Sequence, residues 1–212
     1  MRLLLIRHGQ TPSNVIRALD TGAPGPGLTE LGLEQAAALV AALADEPIGA
    51  LFASNLQRAQ LTAAPLAEAL GLEVAIREGL REIAAGCLEL RSDAESLVAY
   101  HGVLVDWMRG QHDVRLDGGE ACADVYARFN AVIEEAEAVA AQLTGEGIAE
   151  LAPAVAIVSH GAMIRAWCGR HAANLGADFV AAQTLANTGI VVLSGSSADG
   201  WTVETWEGSR IA

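Results

Sequence analysis

The fold is decided by Leu3-Leu4-Leu5-Ile6-Arg7-His8-Gly9, an apolar run that ends in an arginine and a histidine. A second apolar run, from Ala154 to Val158, precedes His160 in the same way. Short and fully apolar runs are typical of strands buried in a parallel sheet. Because ligands of open α/β sheets bind outside the carboxyl ends of the strands, we expect both histidines to lie in one active site.

Strands and helices are predicted to alternate along the chain, with Thr29 capping the first long helix and Gly71 ending the second. The predicted strands are 2–7, 49–53, 73–76, 155–158, 190–193 and 201–205, and the predicted helices are 30–45, 55–70, 161–172 and most of 92–143, with a break at 110–119. The helix at 30–45 is expected to bury Leu31, Ala38, Leu39, Ala42 and Leu43. This alternation predicts an α/β fold, with a mainly parallel sheet covered by helices on both faces. We expect a helical insertion over the active site in the middle of the chain, and one domain spanning 1–212.

Composition excludes several classes of function. The 212-residue chain has a formal charge of −13, which argues against nucleic acid and anionic membranes as partners. All of its 13 basic residues are arginines, so Schiff-base chemistry by lysine and a Walker-type phosphate loop are excluded. No uncharged apolar stretch is long enough to cross a bilayer, and we expect no membrane partner.

Cysteine usage predicts the compartment. The three cysteines, Cys87, Cys122 and Cys168, are odd in number and far apart, which argues against a disulfide framework. We also recognise no secretory signal, since the first apolar run is short and leads directly to Arg7 and His8. We therefore expect a cytoplasmic protein.

Six segments resemble, in order, the motifs of the histidine phosphatase superfamily, also called phosphoglycerate mutase-like proteins. They are Leu5-Ile6-Arg7-His8-Gly9-Gln10-Thr11 with Asn14, Leu28-Thr29-Glu30-Leu31-Gly32 with Gln35-Ala36, Ser54 to Ala63, Leu80-Arg81-Glu82-Ile83 with Gly86, Asp117-Gly118-Gly119-Glu120, and Val158-Ser159-His160-Gly161. They span nearly the whole chain. The resemblance therefore implies the fold and the chemistry of this family.

The resemblance implies that His8 is the nucleophile and becomes a phosphohistidine. Arg7 and Arg58 match the family's phosphate clamp, which does the work of a metal ion, so no metal or other cofactor is expected. His160 matches the second histidine, which binds the phosphate and steadies the charge that develops. These residue types suit the task, because a guanidinium grips phosphate with paired donors and an imidazole with a lone pair attacks phosphorus.

Glu82 matches the general acid that protonates the leaving alcohol and then, as a base, activates water. Asn14 and the backbone N–H groups beside Gly161 are expected to donate further hydrogen bonds to the phosphate. Thr21 and Gly22, in the Gly- and Pro-rich loop before the first long helix, are expected to contact the substrate.

The sequence departs from the family pattern near the expected pocket. Glu89 is retained, but the glycine that follows it in the family is replaced by Leu90. The loop from Ala18 to Gly27 is unusually rich in Gly and Pro. An unusual preference for the leaving group follows from these differences, whereas the phosphate-binding residues are intact.

The predicted function is metal-independent hydrolysis of small phosphate esters through a phosphohistidine. One alternative is a cofactor-dependent phosphoglycerate mutase, but the interval from Ile83 to Asp117 lacks the family's paired arginines and its proline-rich stretch. Another alternative is a non-catalytic relative that binds a phosphorylated ligand, although pure binding does not need Glu82. The sequence leaves the oligomeric state open, and a homodimer is one possible assembly, because dimers are the commonest among soluble homo-oligomers.

Overall fold

The computed structural model describes residues 1–145 and 153–211. The strands are β1 (Arg2–Arg7), β2 (Ile48–Ser54), β3 (Val74–Arg77), β4 (Ala154–Ser159), β5 (Ile190–Ser196), β6 (Gly200–Trp206) and β7 (Ser209–Arg210). The α-helices are α1 (Pro12–Val15), α2 (Glu30–Ala42), α3 (Gln57–Leu70), α4 (Ala94–Met108), α5 (Cys122–Gly145), α6 (Gly161–His171) and α7 (Ala177–Ala182). Every predicted strand and long helix is present, with small shifts at the ends.

The strands form one mixed sheet in the order β3-β2-β4-β1-β5-β6-β7. The four strands β1 to β4 pair in parallel, and β5 to β7 extend the sheet as antiparallel strands. In the central pair Arg7 lies opposite Ser159, so the next residues, His8 and His160, leave the sheet side by side. The sheet therefore brings the two histidines to one edge, as predicted.

Alternate residues of the central strands face two separate cores, which explains their unbroken apolar runs. Leu3 and Leu5 pack with residues of α4, α5 and α6 on one face. Leu4 and Ile6 pack with residues of α2 and α3 on the other face. Helices thus cover both faces of the sheet, and α4 also borders the cavity described below. These features confirm the predicted fold class.

The predicted caps are confirmed, but the buried face of α2 is confirmed only in part. Thr29 accepts the N–H of Gly32 at 3.0 Å, and Gly71 ends α3 in the left-handed conformation at a φ of 66°. Leu39 and Leu43 are buried as predicted. The prediction is wrong for Leu31, Ala38 and Ala42, which are exposed, while Gly32 and Ala36 are buried. Gly32 sets this rotation of the helix: a Cβ at this residue would lie 2.2 Å from the carbonyl oxygen of Gln10. The backbone after His8 therefore packs directly on α2.

No helix within residues 1–145 and 153–211 combines the length and the apolar character needed to cross a membrane.

Candidate active site

A cavity of about 610 Å³ opens at the carboxyl ends of β1 and β4. Its walls come from α1 and the loop that follows it, from α4, from the start of α6 and from the segment 181–187. The cavity is lined by most of the predicted site residues, namely Arg7, His8, Asn14, Thr21, Arg58, Glu82 and Gly161. His160 is fully buried beside it, with its ring centroid 5.1 Å from that of His8. Gly22 alone among the predicted residues lies neither in the lining nor against a site histidine.

The hydrogen bonds of His8 determine which ring nitrogen holds the proton. Nδ1 lies 2.7 Å from the carbonyl oxygen of Gly9, and Nε2 accepts a hydrogen bond of 3.1 Å from Nε of Arg58. A carbonyl only accepts and a guanidinium only donates, so Nδ1 carries the hydrogen and Nε2 carries the lone pair. Burial, followed by the charges of Arg58 and Arg7, holds the pKa of His8 well below its ordinary value. His8 is therefore a neutral imidazole with its lone pair on Nε2.

Arg7 and Arg58 flank His8, and each has a hydrogen-bond donor that no described residue uses. Arg58 donates from Nη2 to the carbonyl oxygen of Asp20 at 3.0 Å, and Arg7 donates from Nη1 to that of Leu185 at 2.6 Å. Nη1 of Arg58 and Nε of Arg7 are buried without a hydrogen-bond partner among the described residues. Burial lowers the pKa of both guanidinium groups, and none of the described carboxylates forms an ion pair with either. One buried and one partly buried cation, both with unused donors, form a binding site for an anion.

His160 precedes the first turn of α6 and is held by the tip of β2. Its Nε2 lies 2.8 Å from Oγ of Ser54, while its Nδ1 is buried and has no partner within the described chain. Burial lowers the pKa of His160 well below its ordinary value. The next residue, Gly161, gives Arg7 room, since a Cβ there would lie 3.1 Å from Nε of Arg7. The side chain of His160 is therefore neutral, and it lies next to that of His8.

Glu82 is fixed by the amino end of α6. Its Oε1 accepts the N–H groups of Met163 and Ile83, both at 2.9 Å, and its Oε2 accepts that of Ala162 at 3.1 Å. Two of these donors are unsatisfied helix-terminal N–H groups, which are suited to a carboxylate. The preceding backbone is held in turn by Arg128, which donates to the carbonyl oxygens of Gly79, Arg81 and Glu82. The carboxyl group therefore borders the cavity in a defined position.

Asn14, Thr21 and Gly22 already form hydrogen bonds within the protein through some of their polar groups. Asn14 accepts through Oδ1 from the backbone N–H of Thr11 and from Nδ2 of Asn187, and its amide Nδ2 is left for a ligand. Thr21 gives both its N–H and its hydroxyl to Glu89, and the N–H of Gly22 also bonds to Glu89. Glu89 therefore shapes the loop, and substrate contacts by Thr21 and Gly22 stay a prediction.

Sequence reasoning missed several polar residues of the cavity, and Asn187 and Arg165 are two of them. Asn187 donates both to the carbonyl oxygen of His8 and to Asn14, so it links the backbone of His8 to α1. Arg165 also lines the cavity, one helical turn after Gly161 on α6. The four-residue spacing from Gly161 is the sequence signal for Arg165, because such residues share one helix face. No comparable signal marks Asn187, which lies in a loop before β5.

The part of the chain that the structure describes contains no group of three or more His, Cys, Asp or Glu side chains placed to hold a metal ion. The site instead offers arginine and histidine around one cavity, which is the donor set for a phosphate group.

A neutral imidazole with an available lone pair beside two arginines is suited to phosphoryl transfer, in which positioning and charge stabilisation do most of the work. The family model of the histidine phosphatase superfamily (branch 1) matches residues 3–208. The chain belongs to this superfamily, which confirms the resemblance seen in the sequence.

Named relatives agree with the predicted phosphatase class. Glucosyl-3-phosphoglycerate phosphatase of Mycobacterium tuberculosis is 31% identical over 215 residues, covering 98% of this chain and 95% of that protein. Phosphoserine phosphatase 1 of Hydrogenobacter thermophilus is 33% identical, and the match spans 64% of each protein, so this chain covers less than two thirds of that relative. A match of 85 residues to a PE-PGRS family protein of M. tuberculosis, at 52% identity, covers only 15% of that relative. The structure of the mycobacterial glucosyl-3-phosphoglycerate phosphatase with inorganic phosphate has a TM-score of 0.77 and 28% identity, covering 100% of this chain and 99% of the other.

Proposed function

We propose that the protein is a metal-independent phosphatase that hydrolyses small phosphate esters through a phosphohistidine at His8. The observation that carries the proposal is the pair of hydrogen bonds that leaves the lone pair of His8 on Nε2, next to Arg58. A nucleophile must hold a lone pair at the pH of the reaction, and His8 does so because its pKa is lowered.

The geometry accounts for both halves of the reaction. In the first half, Nε2 of His8 forms a bond to phosphorus while the ester P–O bond breaks and Glu82 gives a proton to the leaving oxygen. Arg7, Arg58 and His160 hold the non-bridging oxygens, with Arg58 turning from Nε2 to the phosphate. In the second half, water attacks phosphorus, Glu82 takes the proton of the water, and the P–N bond breaks to release phosphate.

The positions of the arginines in the segment 83–117 favour a phosphatase over the mutase alternative, because these arginines lie outside the cavity. Arg91 pairs with Asp93, Arg109 pairs with Asp178, and Arg115 is exposed, so none of them lines the cavity. The acidic residues of this segment do not line the cavity either. Because the family's paired arginines are missing from this segment, we expect water to reach the phosphohistidine and to compete with the returning alcohol.

The non-catalytic alternative is disfavoured by Glu82. Its carboxyl group borders the cavity and is held by three backbone N–H groups, although simple binding of a phosphate gains nothing from a nearby carboxylate.

The remaining proposals concern the whole protein. Three free cysteines fit a reducing compartment, and we therefore propose a cytoplasmic location. We further propose that 1–212 act as one catalytic domain, in a homodimer, with a small phosphorylated molecule as substrate and no nucleic acid as partner, in line with the charge of −13.

The test is a turnover screen over sugar phosphates, phosphoglycerates, nucleotides, phosphoamino acids and p-nitrophenyl phosphate, with and without a chelator. We expect phosphate release that the chelator leaves unchanged. With 3-phosphoglycerate, phosphate release should exceed isomerisation. Rapid conversion to 2-phosphoglycerate, primed by 2,3-bisphosphoglycerate and with little free phosphate, would establish the mutase instead.

A further inference from the structure

Glu82, the proposed general acid, is held in place by side chains from other parts of the fold. It lies in the described segment 81–85, which belongs to no helix or strand, so its backbone lacks the regular hydrogen bonds of those elements. Side chains instead bind the backbone carbonyl oxygens of the residues from 79 to 83. Arg128 of α5 binds those of Gly79, Arg81 and Glu82, Ser159 of β4 binds that of Leu80, and Tyr100 of α4 binds that of Ile83. The position of Glu82 therefore depends on contacts between distant parts of the chain.

Arg128 uses all of its hydrogen-bond donors in these contacts. Nη1 donates to the carbonyl oxygens of Gly79 and Arg81 at 2.7 and 2.8 Å, and Nη2 donates to that of Glu82 at 3.2 Å. Nε and Nη2 also donate to the two carboxylate oxygens of Glu120, at 3.0 and 3.1 Å. A guanidinium has five N–H donors, so Arg128 has none left for a ligand, in contrast to the arginines of the phosphate site. The described lining of the cavity does not include Arg128 either, so it can act on the reaction only through the backbone that carries Glu82.

Glu120, just before α5, fixes the orientation of Arg128. Its Oε1 also accepts Nη2 of Arg81 at 2.6 Å, and its Oε2 accepts the N–H of Ala84 at 3.0 Å. Burial raises the pKa of Glu120, but the hydrogen bonds and the charge of Arg128, together with the charge of Arg81, outweigh burial and lower that pKa below its ordinary value. Glu120 is therefore a carboxylate, and with Arg128 it binds the backbone on both sides of Glu82.

The two ends of Glu82 are thus anchored to different helices. Its carboxyl group is bound by the N–H groups of Ala162 and Met163 at the start of α6, and its backbone is bound by Arg128 of α5. A general acid must lie within hydrogen-bond reach of the leaving oxygen, and a misplacement of about 1 Å can lower the rate by about 10²-fold. We propose that Arg128, oriented by Glu120, is a positioning residue that sets the distance from Glu82 to the leaving oxygen without contacting the substrate. The inference rests on the proposed phosphatase function.

Arg128→Lys tests this role and keeps the positive charge beside Glu120. The three donors of a lysine cannot replace the five donors that a guanidinium holds in fixed directions. The substrates are benzyl phosphate and p-nitrophenyl phosphate, which share an aromatic ring and differ in whether the leaving oxygen needs a proton. We expect kcat/KM, which reports the first half of the reaction, to fall by about 10- to 100-fold for benzyl phosphate and to change little for p-nitrophenyl phosphate. Glu120→Gln, which removes the charge that orients Arg128, should change the ratio of the two values in the same direction.

Two comparisons separate positioning from general support of the fold. The matched control is Arg77→Lys, which should keep the wild-type ratio. Arg77 also joins β3 to α5, through Glu135, but binds no carbonyl oxygen of the described residues 79–83. The second comparison adds Arg128→Lys to Glu82→Gln. If Arg128 acts through the carboxyl group of Glu82, the double variant should have the same ratio as Glu82→Gln alone.

An equal loss on both esters in Arg128→Lys would overturn the inference, because a partly unfolded enzyme loses its activity on every substrate alike. A double variant whose ratio combines the two separate effects in full would also overturn it, since Arg128 would then act independently of Glu82. If Arg128→Lys does not fold, the ratio in Glu120→Gln decides, and the wild-type value there would contradict the positioning role. A wild-type enzyme that releases no phosphate from any ester would instead refute the phosphatase function.

Discussion

The two ends of the cavity are built from different parts of the fold. The phosphate end, formed by Arg7, His8, Arg58 and His160, comes from strand tips and helix starts, and all of these side chains except Arg7 are buried. The leaving-group end comes from α4, the second turn of α6 and the segment 181–185, and its side chains are more exposed. We therefore expect the phosphate end to determine the chemistry and the leaving-group end to determine the choice of alcohol. The following experiments compare these two ends.

Removing the nucleophile should have the largest effect and should not depend on the alcohol. In His8→Ala we expect kcat to fall on the order of 10⁶-fold, as when the nucleophile of another covalent enzyme is removed. A quenched wild-type reaction should hold acid-labile, base-stable phosphate that this variant lacks. His112→Ala, at an exposed histidine outside the cavity, is the control, and full activity of His8→Ala would end the phosphohistidine proposal.

Arg58→Ala should lower kcat by about 10³-fold on every ester, because arginines that stabilise a transferring phosphoryl group contribute this much. The loss should be equal for good and poor leaving groups, since Arg58 belongs to the phosphate end. Arg115→Ala serves as the control, because Arg115 is exposed and forms no ion pair with a described residue. A strict requirement of the wild type for added magnesium or zinc would contradict this role of the arginines.

Glu82 lies where the two ends meet, so its effect should depend on the leaving group. Glu82→Gln should slow alkyl phosphates by about 10²- to 10⁴-fold and p-nitrophenyl phosphate much less, because nitrophenolate leaves without a proton. The ratio of the two kcat values is the measurement, and Glu134→Gln, at an exposed helix position, is the control. An equal loss of kcat on both esters would show that Glu82 acts only as the cap of α6 and not as the general acid.

The pH response should be the smallest effect and should belong to the phosphate end. Since the pKa of His8 is held well below the ordinary value of about 6.5, kcat/KM should not fall as the pH drops through that value. A fall of kcat/KM at low pH with its midpoint at the ordinary histidine pKa would show that the pKa of His8 is not lowered.

The same lowered pKa predicts a dependence of stability on pH. Below pH ~6.5 the unfolded chain protonates His8 and His160 while the native chain does not, so stability falls as the pH falls. Each buried histidine should contribute about 1.4 kcal/mol per pH unit in this window. Urea unfolding of wild type and His160→Ala at pH 7 and pH 5 measures this, and identical pH dependences would contradict it.

Much of the phosphate end was predictable from sequence. Each histidine follows a run that is apolar at every position, which marks a strand between two cores, and strand tips are where ligands bind. The identity of Glu82 followed from the family resemblance. Its three backbone partners did not, because two of them lie 80 and 81 residues away in sequence.

The leaving-group end was not predictable, because it depends on how helices pack. The spacing of Arg165 from Gly161 was visible, but only the packing of α4 and α7 shows that this face of α6 borders the cavity. The error at α2 has a related cause. Helix rotation there is set by Gly32 against the backbone of Gln10, a contact that hydrophobic patterning does not detect.

On the proposed mechanism, the hydrogen bond from Arg58 to Nε2 of His8 also determines which reagents react with this nitrogen. In the resting site the guanidinium covers the reactive lone pair, so a neutral alkylating or acylating reagent meets a nitrogen that is already engaged. Only a ligand with enough negative charge to draw the guanidinium away exposes the nitrogen, and a phosphoryl group carries that charge on the oxygens bonded to the phosphorus that is attacked. On the proposed mechanism, the substrate itself therefore frees the nitrogen that attacks it.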